Sequence, residues 1–385
     1  MTYNVILFWF MNDWGLFGRT YEMIARHMVS LPEINRVICI LPSSMIRDGN
    51  YLLPFHCRRE SKKLYLLTPN YRMIPKKLIP SSLNRLINEN LRDYSIKVLL
   101  KSMGFSKENT IMWMFPPHKY IYTLIDLIPH RLLITHIIDN HLHKRNESAD
   151  MLEFSRDQYK YLSGKSHMLI TSSRQNHEYF SSLNSNCYYF ENALDEKFIA
   201  DPSSLPWRKG KGRPRLGYIG WITQRTDLDL LLFVAKNRPD YDIIIAGPLE
   251  NGIDLGKSGL PEIPNVYLEG SIPYLEVPEF LTSLDVCLIP HKDSPYSRSM
   301  NPLKVYQYLA SGRPIVSTEI AGIERWGNMI SIAGNYQDFV EKIDEAVHQD
   351  SQEASLQRVK AVKQDTWDFR VNQMFQTISR HIQGN

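Results

Sequence analysis

Cysteine is scarce in this chain: four residues in 385, Cys39, Cys57, Cys187 and Cys287, with no C-x-x-C pair among them. Three of the four fall in or beside apolar runs and read as reduced packing residues, which argues against a disulfide framework or a thiolate zinc site. No stretch approaches the roughly 18 apolar residues of a membrane-crossing helix, and the opening MTYNVILFWFMNDWG has no basic run ahead of its apolar segment. These absences predict a cytoplasmic protein. Net charge is also small, +4 from 45 basic and 41 acidic residues, too mild to imply nucleic-acid binding. No G-x-G-x-x-G fingerprint is present, so a dinucleotide is unsupported. A D-x-D does occur, Asp227-Leu228-Asp229, but it falls in the first turn of an expected helix, where capping and dipole chemistry account for it without a metal.

What is present is ordinary globular material, 43% hydrophobic and 22% charged, in a chain too long for one core. Two βαβ openings stand out. Residues 3–10 form a β-rich apolar run, followed by a loop with Asn12, Asp13, Gly15 and Gly18, an amphipathic helix from about residue 19 to 31, and a strand at 36–41. The pattern starts again with a strand at 214–219, a loop at 220–225, a helix at 226–237 and a strand at 242–246. Each predicts an α/β, doubly wound parallel sheet, whose ligands gather at the carboxyl ends of the strands. Between them, residues 201–213 (DPSSLPWRKGKGR) have no apolar period and read as a linker. The expected organisation is a first domain over 1–200, that linker, a second domain over 214–355 and a closing helical segment over 356–385.

Charge is unevenly spread. Residues 56–101 hold eleven Lys or Arg against three acids, and residues 71–87 interleave apolar and basic side chains. Such a segment suits either a solvated face or the surface of an anionic membrane.

The most informative stretch is residues 283–318, SLDVCLIPHKDSPYSRSMNPLKVYQYLASGRPIVST. It reads as strand, polar loop, short helix and strand, with Asn301-Pro302 opening the helix as cap and first-turn proline and Gly312-Arg313-Pro314 ending it. Lys304 and Gln307 share one face of that helix, offering a cation for phosphate and an amide for ribose hydroxyls. From Pro302 to Val316 the stretch resembles the donor-nucleotide motif of GT-B glycosyltransferases, "P-L-K-x-x-E-Y-L-A-x-G-x-P-V-V", in particular the family 4-like enzymes of bacterial surface-polysaccharide and teichuronic-acid type. Ser299 and Gln307 stand where many relatives carry two carboxylates. Further similarity lies at Asn192–Phe198, in the turn Gly217-Tyr218-Ile219-Gly220-Trp221-Ile222, in Ala246-Gly247-Pro248, and in Thr366-Trp367-Asp368-Phe369-Arg370.

The resemblance implies the GT-B fold, two Rossmann-like domains, and sugar transfer from a nucleotide diphosphate sugar, UDP-sugar favoured, to a glycan or lipid-linked acceptor. It implies a donor site from Gly220, Trp221, Arg225, Gly247, His291, Ser299, Asn301, Leu303, Lys304 and Gln307. Arg225 and Lys304 would meet the diphosphate without an obligatory metal or other cofactor. In the first domain Asp139 is the foremost candidate for a base, with Asp13, His118 and His141 behind it; each sits just beyond a strand. The resemblance also implies work at the inner face of the plasma membrane. A GT-B epimerase or phosphorylase, or a non-catalytic nucleotide-sugar-binding partner, are the competing readings.

Overall fold

The computed structural model describes residues 2–11, 13–42, 53–70, 81–144, 147–199 and 212–384. It divides into two compact units, one of Met1–Phe190 with Val371–Asn385, the other of Glu191–Arg370.

The first unit is built on β1 (Tyr3–Phe8), α1 (Thr20–Met28), β2 (Ile34–Ile40), β3 (Phe55–Arg59), β4 (Leu64–Pro69), α2 (Ser81–Ser102), β5 (Thr110–Met114), α3 (Tyr120–Leu127), β6 (Leu132–Ile137), α4 (Ala149–Lys165), β7 (Met168–Thr171), α5 (Arg174–Ser181) and β8 (Cys187–Tyr189). The strands form one sheet in the order β3-β4-β2-β1-β5-β6-β7-β8. All pairs are parallel except β3 with β4. The central strands β1, β5 and β6 are buried on both faces, which is why their sequences run apolar without alternation. One core cluster joins Ile6, Phe8, Ile38, Met112 and Leu133 from the sheet to Ile96 and Leu100 of α2 and Ile121 and Leu124 of α3. Each such side chain contributes about 1.5–3 kcal/mol by leaving water.

The second unit holds β9 (Arg215–Ile219), α6 (Leu228–Asn237), β10 (Asp242–Ala246), β11 (Val266–Gly270), α7 (Val277–Thr282), β12 (Val286–Ile289), α8 (Pro295–Arg298), α9 (Leu303–Ala310), β13 (Ile315–Thr318), β14 (Ser331–Ala333), α10 (Tyr336–Gln349) and α11 (Gln352–Val362). Its parallel sheet has the order β11-β10-β9-β12-β13-β14. The winding direction reverses between β9 and β12, and the carboxyl ends of strands at such a reversal frame a ligand crevice.

Several expectations are corrected. The closing segment, read as one helix, is two: α11 stops at Val362 and α12 (Trp367–Gly384) follows, because Asp365 N–H turns back to the Val362 carbonyl while Leu194 and Thr366 form a β-bridge. Most of α12 belongs to the first unit, where Val371, Met374, Phe375 and Ile378 are buried. The second unit begins at Glu191, ahead of the proposed linker, since Leu194 and Phe198 sit in its core cluster. Most of residues 201–213, Asn12 and residues 71–80 lie outside the described residues. Pro302 is the N-cap of α9, not a first-turn residue, and Asn301 does not cap it. Strand β3 and helix α3 have no clear sequence signal and were not expected. All four cysteines are free, three of them buried.

Candidate functional site

The loops after β9 and β12 bring four sequence-identified residues together: Gly220, Arg225, His291 and Lys304. Lys304 lies on α9 with 8% of its surface exposed. Its Nζ is 3.3 Å from His291 Nε2 and 3.8 Å from the centroid of the Tyr218 ring, a cation–π position. A Cβ placed on Gly220 would stand 3.0 Å from the same Nζ, so a side chain there would crowd the amine. Gly220 also has φ 142°, and Gly247, after β10, has φ 137° with room for no Cβ, since one would fall 1.9 Å from the Gly220 carbonyl. The two strand ends are thus glycine because their backbones touch. Gly247 shapes the turn and offers no side chain of its own to a ligand.

Burial, then the nearby Arg225 guanidinium, holds the Lys304 amine well below its usual range. His291 is likewise lowered by burial first, then by Lys304 and Arg225. Arg225 is half-buried; Nη1 donates to Met300 Sδ, while Nε is buried with no hydrogen-bond partner. Among the described residues neither Lys304 nor Arg225 meets a carboxylate at ion-pair distance. Three basic side chains thus lie together, with no carboxylate at ion-pair distance of Lys304 or Arg225 among the described residues. An anionic ligand completes such a site.

The remaining donor-site candidates divide. Trp221 is half-buried beside Gly220, and its carbonyl accepts from Tyr218 Oη at 3.0 Å. Leu303 and Gln307 are half-buried on α9. Ser299, by contrast, is fully buried and its hydroxyl donates to the Tyr296 carbonyl at 2.8 Å. Asn301 is spent within the fold: its Oδ1 accepts from Asn192 N–H at 3.0 Å and Tyr306 Oη at 3.1 Å, and its carbonyl accepts from Asn192 Nδ2 at 2.6 Å. Both side chains are thus hydrogen-bonded within the second unit. Asp227 caps α6 and accepts from Tyr336 Oη, the capping role read from sequence.

Three residues that support this site were missed. Tyr218 supplies the ring beneath Lys304, Thr318 Oγ1 donates to the His291 carbonyl at 2.6 Å, and Tyr308 Oη accepts from Ile219 N–H at 3.0 Å, pinning α9 to the end of β9. Tyr218 and Tyr308 lie inside apolar runs, where the sequence marks them only as core.

In the first unit the candidate bases follow the adjacent strands β1, β5 and β6. Asp13 is buried and accepts from Trp9 Nε1 at 3.1 Å, Tyr21 Oη at 3.0 Å and Arg19 Nε at 2.9 Å. Its two oxygens are thus engaged by three donors from its own neighbourhood. His118 Nδ1 accepts the Tyr120 N–H at 3.1 Å, so the neutral ring carries its proton on Nε2 and is a donor there. Burial lowers His118 and pushes His141 down to about 4. The turn after β6 is capped by Asn140, whose Oδ1 accepts Leu142 N–H, and Asp139 beside it is half-buried, its carbonyl accepting from Tyr159 Oη at 3.3 Å.

With this geometry, residues 213–349 match the family model of glycosyl transferases group 1. A protein of Bacillus subtilis (strain 168) named as a teichuronic acid biosynthesis glycosyltransferase, TuaH, is 30% identical over 133 residues, and that alignment spans only about a third of either chain, 34%. Among solved structures, a sucrose-phosphate synthase from Thermosynechococcus elongatus superposes with TM-score 0.70 over 100% of both chains at 12% identity. HepE from Anabaena, in complex with UDP and glucose, gives 0.67 at 13% identity, covering 98% of this chain and 100% of its own.

Proposed function

We propose, from the match of residues 213–349 to glycosyl transferases group 1 and the full-length likeness of fold to solved GT-B structures, that this chain transfers a sugar from a nucleotide diphosphate sugar, UDP-sugar first among the candidates, to a glycan or lipid-linked glycan of a bacterial surface polysaccharide. The observation that carries this is the unbalanced basic cluster of Lys304, Arg225 and His291 at the strand reversal, beside the turn at Gly220.

The diphosphate lies against Lys304 and Arg225. As the bond between the sugar and the β-phosphate breaks, charge grows on the leaving oxygen, and these cations stabilise it more than they stabilise the bound donor. A nearby negative charge offsets both causes that hold the Lys304 amine low, so the bound anion favours its charged form. Gln307 and Leu303 line the nucleoside side. With two basic side chains supplying the compensating charge, turnover persists in EDTA. Asp139 takes the proton of the acceptor hydroxyl in an inverting displacement; in a retaining front-face attack no such base is needed, and Asp139→Asn then leaves the rate unchanged.

Ser299 and Gln307 in place of carboxylates favour a second reading, a partner that binds the donor without turning it over. Purified protein is screened against UDP-, GDP-, ADP- and dTDP-sugars by thermal shift, then for release of nucleoside diphosphate in the presence of lipid-extracted acceptors. Stabilisation with turnover supports transfer. Stabilisation alone supports the binding partner, and folded protein that responds to none of them overturns both.

A further inference from the structure

Helix α2 of the first unit is inside out. Its buried row, Asn84, Asn88, Arg92, Ile96 and Leu100, is polar in its first three members. The opposite face carries Leu83, Leu86, Leu91, Tyr94 and Val98, each between 46% and 69% exposed. An exposed leucine alone means little, but five apolar side chains in one stripe, with asparagine and arginine turned inward on the same helix, reverse the pattern that burial in a water-soluble domain selects.

The inward polar groups are tied to one another and to their neighbours. Asn88 Nδ2 donates to Asn84 Oδ1 at 2.9 Å. The Arg92 guanidinium covers the Tyr120 ring at 4.7 Å while its Nε donates to Asp93 at 2.6 Å, and Tyr120 Oη donates to the same carboxylate at 3.1 Å. This network fixes the rotation of α2 and with it the outward direction of the apolar stripe.

We propose that this stripe docks on an anionic lipid bilayer, with α2 lying in the plane of the interface. Charge selects that occupant. Lys97 and Lys101 are exposed on the same side as Tyr94 and Val98, and α2 packs beside β3, which presents His56, Arg58 and Arg59 to solvent. Over residues 56–101 the sequence has eleven basic residues to three acidic ones, so a second copy of this chain meeting the same face would oppose like charges. Lysine stems reach from an interfacial helix to lipid headgroups, and tyrosine prefers that depth. No helix among the described residues is long and apolar enough to cross a membrane, so α2 docks on the surface rather than spanning it.

The inference does not rest on the proposed reaction, and its test reads lipid binding alone. The full chain is sedimented with vesicles of phosphatidylcholine, or of phosphatidylcholine mixed with phosphatidylglycerol, at low and physiological salt. It binds the anionic vesicles preferentially and less at higher salt. Both Leu86→Gln/Tyr94→Gln and Lys97→Gln/Lys101→Gln, surface changes that leave the melting temperature in place, weaken that binding about tenfold or more. Equal binding to neutral vesicles, no binding by folded wild type, or variants that bind as wild type does would overturn it. So would a dimer in solution that Leu86→Gln/Tyr94→Gln dissociates with no vesicle binding, which would give the face to a second copy.

Discussion

Lys304 shows what a single side chain contributes to this account. A lysine that is 8% exposed, over an aromatic ring and with its amine held low by burial, is costly to the fold, a cost that a bound anion would offset. Lys304→Met keeps the stem and removes that cost. We expect the melting temperature to hold or rise while kcat/KM for the donor sugar falls about 100-fold or more. Unchanged kinetics would remove Lys304 from the site. His136 makes a different prediction. Buried between Trp113 Nε1 and Ser172 Oγ, it is pushed down to about 3 by desolvation. The unfolded chain binds a proton there below about 6.5 and the native one does not, so stability is complete above that pH and is lost as pH falls toward 3. Between pH 6.5 and 5 this amounts to about 2 kcal/mol, and His141, lowered to about 4, acts in the same direction. Urea unfolding at stepped pH measures the slope; His136→Gln should flatten it.

Among the elements, the glycine turns after β9 and β10 are the stiffest requirement. Gly247→Ala places a methyl against the Gly220 carbonyl in a left-handed backbone, and should destabilise the second unit by about 2–4 kcal/mol, read as a lowered melting transition. The stretch from β12 through α9 to β13 was legible in the sequence because a proline, a glycine-proline stop and a helical period bracket it. So was the direction of Lys304. The commitments of Ser299 and Asn301 were not, since their partners, Tyr296 and Asn192, are set by tertiary contacts, the second of them 109 residues away. For helix α2 the sequence shows a basic, partly apolar segment, and only the packing of Arg92 and Tyr120 shows which side turns in. Asp13 reads in the sequence as a candidate base in a loop beyond a strand, and the three donors that hold it, from Trp9, Arg19 and Tyr21, are visible only in the structure.

At the scale of the whole molecule, the fold aligns over the full length with proteins 12–13% identical to it, while the family model matches residues 213–349. That match falls in the unit that holds the basic cluster. That is the distribution expected if one unit holds a shared donor and the other meets an acceptor particular to this chain. The central claim is that Lys304 receives the donor diphosphate. Calorimetric titration of the nucleoside diphosphate that most stabilises the protein, run on the wild type and on Lys304→Met, measures that contact directly. An affinity that falls about tenfold or more in Lys304→Met is the predicted result. Equal affinity in the two proteins would contradict it.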